Sequence, residues 1–225
     1  MPLPSKDPTP TGPEPSREAL LSVGTEIFAE VGFDGARVGA IAERAGVNAA
    51  LINYYFGGKA GLYRAILGET LTAVADELKP LRSSGRPADE RLQELIGSFA
   101  AIATRRPAFP TMVLREALSG GVHLEGDLFD RFLEVFRTVQ EILEQGVREG
   151  AFRPVDPLLT HLGLVGGLVF FFATRTFRER LMQQSAAPLQ PPAAEEFIRH
   201  LQELMDRGLA PDTASRQRPA AEELP

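Results

Sequence analysis

The sequence contains no cysteine and no tryptophan. Without cysteine there is no disulfide framework and no thiolate chemistry, and a cytoplasmic location fits that usage. Long apolar runs are also missing. The longest, Leu162 to Ala173, falls well short of the roughly 20 residues that cross a bilayer, so it is expected to be a buried helix and no membrane association is expected. The first residues, MPLPSKDPTPTGPEPS, show no basic-then-apolar signal pattern. The net charge of -6 argues against a nonspecific polyanion binder. His123, His161 and His200 are scattered and fit no metal-ligand spacing, so neither a metal nor a cofactor is expected. There is no G-x-S-x-G, and Gly57-Gly58-Lys59 lacks the rest of a phosphate loop. Glu116, Asp127 and Glu141 could approach one another. Helical surfaces carry many such groups, and no enzyme is expected.

What the chain does have is length and apolar content: 225 residues, 44% of them hydrophobic, enough for one or two domains with a core. The informative stretch is Ile41 to Leu62, IAERAGVNAALINYYFGGKAGL. Ile41, Ala42 and Ala45 make one apolar face. Gly46 can take the left-handed backbone that ends a helix. Val47 is an apolar plug for the turn, and Asn48 is a good N-cap for the next helix. Helix, short Gly-containing turn, helix is the pattern of a helix-turn-helix, whose second helix enters the DNA major groove.

With its flanks, GFDGARVGAIAERAGVNAALINYYFGGKAGLYRAIL resembles the DNA-binding domain of the TetR/AcrR family of one-component regulators. The positions that carry the resemblance are Phe28, Gly32, Phe33, Ile41, Ala42, Ala45, Gly46, Val47, Tyr55, Phe56, Lys59 and Leu62. The run from Asn53 to Lys59 is most similar to the CecR-like subgroup. The resemblance implies an all-α fold: an N-terminal three-helix helix-turn-helix domain plus a C-terminal helical ligand-binding and dimerisation bundle. The expected organisation is a disordered tail over 1–15, a DNA-binding domain over 16–66, an effector-binding and dimerisation domain over 67–209, and a second disordered tail over 210–225.

Ser16 is expected to cap a first helix to about Val31, with Leu20, Val23, Ile27, Phe28 and Val31 on one stripe, Gly32 ending it and Phe33 plugging the core. Arg37-Val38-Gly39 opens the second helix. Many family members have Ser or Thr where Arg37 stands and a polar or basic residue at Gly39, so here the cap is lost and Gly39 offers only backbone. Arg37 and Arg44 are candidates for phosphate, Arg44 equally for a solvated surface charge. The third helix, about Asn48 to Tyr54, is the candidate reader, with Asn48, Ala49, Ala50, Asn53 and Tyr54 facing the groove. Asparagine pairs with adenine and alanine meets a thymine methyl. Asn53 replaces a tyrosine common in the family. The Tyr54 and Tyr55 hydroxyls suit phosphate, Tyr55 being partly structural. The resemblance assigns a phosphate contact to Lys59 at the start of the fourth helix, which runs on toward Pro80 as the mechanical link between domains. From 16 to 67 the cations Arg17, Arg37, Arg44, Lys59 and Arg64 are balanced by Glu18, Glu26, Glu30, Asp34 and Glu43, so affinity must come from placement.

The rest reads as helices: about Asp89–Arg105, a short one in PAFPTMVLREAL, Asp127–Arg148, the apolar DPLLTHLGLVGGLVFFFATRTF capped by Asp156, and Pro192 to about Leu209. The last two are expected to pair with their symmetry mates as a four-helix bundle in a homodimer, the alternative being intrachain core helices. Candidate effector contacts are Phe99, Met112, Arg115, Glu116, Phe132, Phe136, His161, Val165 and Phe170, with Arg115, Glu116 and His161 as the polar ones. The function expected is a dimeric, ligand-responsive regulator, in the sense of a repressor that a small hydrophobic effector releases from its double-stranded DNA operator. The alternative is a helical small-molecule or protein-interaction module that no longer reads DNA.

Overall fold

A computed structural model of the chain describes residues 13–184 and 190–211. The expected tails lie outside the described residues except for 13–15 and 210–211. Residues 13–15 already belong to the first helix, α1 (Pro13–Gly35), so it begins before Ser16. Among the described residues there are ten helices and no strand. The others are α2 (Val38–Arg44), α3 (Ala50–Phe56), α4 (Lys59–Ser83), α5 (Ala88–Arg105), α6 (Ala108–Leu118), α7 (Asp127–Glu149), α8 (Pro157–Ala173), α9 (Arg175–Gln184) and α10 (Ala194–Leu209).

Contacts divide the chain into two units, Met1–Val74 with Arg106–Phe132, and Ala75–Arg105 with Leu133–Pro225. The first unit is built on α1. Leu20, Leu21, Ile27 and Phe28 are buried and meet Ile41, Ala42 and Ala45 of α2, Ile52 of α3, and Leu62, Tyr63, Ile66 and Leu67 of α4 in one cluster. Met112 of α6 joins that cluster, and α6 packs along α1. A segment read as part of the effector domain thus completes the core around the helix-turn-helix. Val31 leaves the expected stripe and is 51% exposed, because the backbone breaks helical geometry at the next residue, Gly32, with φ 76° and ψ 176°.

In the second unit, Leu92, Leu95, Ile96, Phe99 and Ile102 of α5 are buried with Val139, Ile142 and Leu143 of α7. Arg91, almost fully buried, donates from Nε to the Leu81 carbonyl at 2.8 Å and is bonded to Gln145. α7 ends at Gly150, φ 71°, and the following segment folds Phe152 against Gly146, where a side chain would collide with the ring. As expected, Asp156 caps α8, accepting from the Leu159 N–H at 2.8 Å.

Beyond the start of α1, other boundaries differ from the sequence reading. Pro80 does not end α4, which continues to Ser83; a proline one turn from a helix end disturbs few backbone bonds. The apolar helix stops at Ala173, and a separate α9 leaves it at 65°. The last helix starts at Ala194, where the Glu196 carboxylate accepts the Ala193 N–H at 3.1 Å. Among the described residues no single helix is long and apolar enough to cross a membrane, and no group of acidic or histidine side chains could hold a metal.

Candidate nucleic-acid interface

The break at Gly32 lets the chain leave α1 and turn Phe33 inward, where its ring lies 6.2 Å from Phe28 and 5.2 Å from Tyr63. Ala36 is buried and Arg37 is the extended N-cap of α2, with no side-chain cap bond, as the loss of a Ser or Thr there implies. After α2, Gly46 takes φ 68°, and the Val47 N–H returns to the Ala42 carbonyl at 3.0 Å. The Asn48 side chain then accepts the Ala50 N–H at 2.8 Å and starts the turn that becomes α3. α3 extends two residues past Tyr54, and Ile52, fully buried, anchors it to the core. Gly57 closes it in the left-handed region, φ 71°. The next helix approaches so closely that a Cβ on Gly61 would collide with the Phe56 carbonyl. α3 is therefore fixed at both ends and from below.

The outward surface of α3 is neutral. Ala50 and Asn53 are exposed, as is Asn48 ahead of them, and Tyr54 is 79% exposed. Asn48 has spent one oxygen lone pair on the turn and keeps its NH2 donors. Ala49 and Tyr55 are half-buried and pack on the core; the Tyr55 ring stands edge-on to Tyr54 at 5.0 Å. Gly39 is exposed, and a side chain added there would meet nothing within 4 Å, so no internal packing demands a glycine.

The cations are arranged otherwise than expected. Arg44 does lie on the exposed side of α2, but its guanidinium bonds Glu26 at 2.6 Å and Glu30 at 3.4 Å, both on α1. Lys59 donates to the Phe33 and Ala36 carbonyls at 2.9 and 3.1 Å, with its ammonium 4.4 Å from the centre of the Phe33 ring. It therefore ties α4 to the turn before α2, using two of its three N–H groups internally. Arg17 pairs with Glu69 at 3.2 Å and lies over the Phe56 ring. Among the described residues Arg37 and Arg64 make no ion pair. The acidic partners went unnoticed in the sequence because separations of 18 and 52 residues are tertiary. The one local signal was Glu26 and Glu30 sitting one helical turn apart.

The candidate effector residues are not assembled as a set. Met112, Arg115 and Glu116 belong to the first unit. Arg115 is exposed and donates to the Glu30 carbonyl at 3.1 Å, at the α1 break. Glu116 is buried, accepting from the Tyr63 hydroxyl at 3.1 Å and the His123 N–H at 2.7 Å, with His123 Nδ1 at 3.1 Å. Burial first, and then the Glu116 carboxylate, push the Tyr63 phenol well above its ordinary value. Met112 and Glu116 are thus buried in the first unit, and Arg115 is bonded at the α1 break. In the second unit Phe136 and His161 do meet, rings 5.3 Å apart, and burial lowers the His161 pKa, favouring the neutral imidazole. His161 Nδ1 is buried with no hydrogen-bond partner among the described residues. Phe99 is buried, Val165 is half-buried and Phe170 is 58% exposed, while Phe132, half-buried, belongs to the first unit. An open groove of about 340 Å³ lies elsewhere, between Leu143, Val147, Pro154, Val155 and Pro157, with Glu144 and Arg148 at its edge.

The family model for bacterial regulatory proteins, tetR family, matches residues 20–66, and that for the tetracyclin repressor-like C-terminal domain matches residues 89–204. The HTH-type transcriptional repressor NicS of Pseudomonas putida is 28% identical over 198 residues, 86% of this chain and 92% of the relative. The HTH-type transcriptional regulator RutR of Escherichia coli K12 is 28% identical over 141 residues, 63% of this chain and 66% of that one. Among solved structures, the fatty acid degradation regulator FadR from Bacillus halodurans superposes with a TM-score of 0.66 at 16% identity, covering 90% of this chain and 96% of that chain, which establishes the shared fold.

Proposed function

We propose that this chain, which belongs to the TetR family of bacterial regulatory proteins and is a DNA-binding transcriptional regulator, is a cytoplasmic homodimeric repressor that a small apolar effector releases from its operator. The observation that carries the reading is the neutral, rigidly seated surface of α3. Asn48, Ala50, Asn53 and Tyr54 face outward over an anchored Ile52, the disposition needed to reach base edges in a major groove. Arg37 and the exposed backbone at Gly39 approach phosphate at the start of α2, and the Tyr54 and Tyr55 hydroxyls add neutral phosphate contacts.

Dimerisation uses α8 and α10. One face of α8 (Leu164, Leu168, Phe171) is buried within the chain, while the opposite stripe, Leu158, Leu159, Leu162 and Phe170 with Gly163 and Gly166 between, is exposed. An apolar stripe of that length is stable when a second copy covers it. The two α3 helices then reach half-sites roughly 34–36 Å apart or a multiple of that. The effector binds in the second unit near Phe136, His161 and Val165, with the neutral His161 imidazole as its polar contact, and α4, whose residues belong to both units, transmits the change. The assignment of the 16–66 segment as the DNA-binding domain and 67–209 as the effector-binding domain is part of the same proposal, with α6 lent to the first. The test is a gel shift with DNA from upstream of the protein's own gene at about 0.15 M salt, where phosphate attraction alone is weak. A specific shift that unrelated duplex does not compete is expected; its absence counts against the reading.

A further inference from the structure

We infer that Glu26 and Glu30 hold Arg44 away from DNA, and that this internal pairing lowers the charge-driven part of the affinity for DNA of any sequence. The inference rests on the DNA-binding reading above and adds a role for two acidic residues that reading does not use. Glu26 and Glu30 stand one turn apart on α1 and place one oxygen each on the two terminal nitrogens of a single guanidinium, at 2.6 and 3.4 Å. Two anionic oxygens across one guanidinium is what a phosphate group offers. The side chains are about half exposed, 46% for Arg44 and 52% and 59% for the carboxylates, so water, salt and a DNA backbone all reach the pair. An exposed pair of this kind is readily exchanged.

Its effect comes from the way the two kinds of binding are made. Sequence-independent binding is carried by cations on phosphates. Base reading falls here to Asn48, Ala50, Asn53 and Tyr54, which carry no charge. Arg17 is engaged by Glu69 and Lys59 by backbone carbonyls, so Arg44 would be the third cation next to Arg37 and Arg64 that a phosphate can use. Each phosphate contact by Arg44 has to be exchanged for its two intramolecular bonds. The exchange subtracts from attraction to any duplex and leaves the contacts to base edges as they are.

The test is binding of the full chain to a random-sequence duplex across a salt series, for wild type, Glu26→Gln/Glu30→Gln, Arg44→Ala and the triple variant. Freeing Arg44 is expected to tighten binding by the double variant about tenfold at 0.15 M salt, with log K against log salt steeper by about two per dimer, one released counterion for each added phosphate contact. With Arg44 already alanine, the two glutamine substitutions are expected to change neither affinity nor slope. The inference is overturned by an unchanged slope in the double variant, or by equal tightening with and without Arg44, which would be general charge repulsion. A wild-type chain that binds neither this duplex nor a selected operator at low salt removes the DNA-binding reading itself, and that outcome is separate from the other two.

Discussion

Two helices of this molecule, α3 and α8, contain no Asp, Glu, Lys or Arg, and both leave one face open in the single chain. On α3 the open face is Asn53 and Tyr54 over a fully buried Ile52; on α8 it is Leu158, Leu159, Leu162 and Phe170 over buried Leu164 and Leu168. The difference is in what each face can be covered by. Amide and phenol groups exchange water for hydrogen-bonding edges at little cost, whereas a leucine stripe gains only from another apolar surface. On the function proposed, reading falls to α3 and assembly to α8, and substitutions in the two helices are expected to have separable consequences.

The largest effect is expected from charging the α8 stripe. Leu159→Glu/Leu162→Glu should convert the dimer to a monomer in sedimentation and lower operator affinity by a factor on the order of 100 or more, since each head then binds its half-site alone. A variant that stays dimeric would remove α8 from the interface. Next comes Gly61→Ala, which forces a methyl group onto the Phe56 carbonyl. It should lower stability by about 1–3 kcal/mol in thermal unfolding and weaken operator binding while the dimer persists. Asn53→Ala and Tyr54→Ala should each cost about 1–3 kcal/mol per half-site in operator affinity. Neither should change the melting temperature or the sedimentation of the protein. The smallest effect is that of His161, on α8 itself. Burial holds its pKa below the ordinary histidine value, so the unfolded chain takes up the proton first. Its contribution to stability is full above about pH 6.5 and declines as pH falls below that. Melting at pH 5.5 and 7.5 should differ less in His161→Phe than in wild type.

Much of the fold was legible because local rules decide it. Gly46 and Asp156 end and cap helices by their own chemistry, and the structure has them in those places. The apolar periods of α5 and α7 located the second unit's core. What the sequence did not disclose depends on distant partners. That Lys59 also bonds the carbonyls of Phe33 and Ala36 could not be read from its place at the start of α4. Glu116 gave no sign of the internal partners it has, Tyr63 and His123. α9 was merged into α8 because no glycine or proline marks the bend at Thr174. The outward residues of α3 were identifiable because a seven-residue helix with Ile52 buried leaves few other faces.

The most direct test of α3 as the reading helix is selection of genomic fragments by the purified protein at about 0.15 M salt, repeated with Asn53→Ala. Wild type is expected to enrich a palindrome with symmetric half-sites, and the variant to relax the same position in both halves while keeping their spacing. Enrichment of no common site by the wild type, or an identical palindrome from the variant, would contradict the claim that the neutral face of α3 reads the operator.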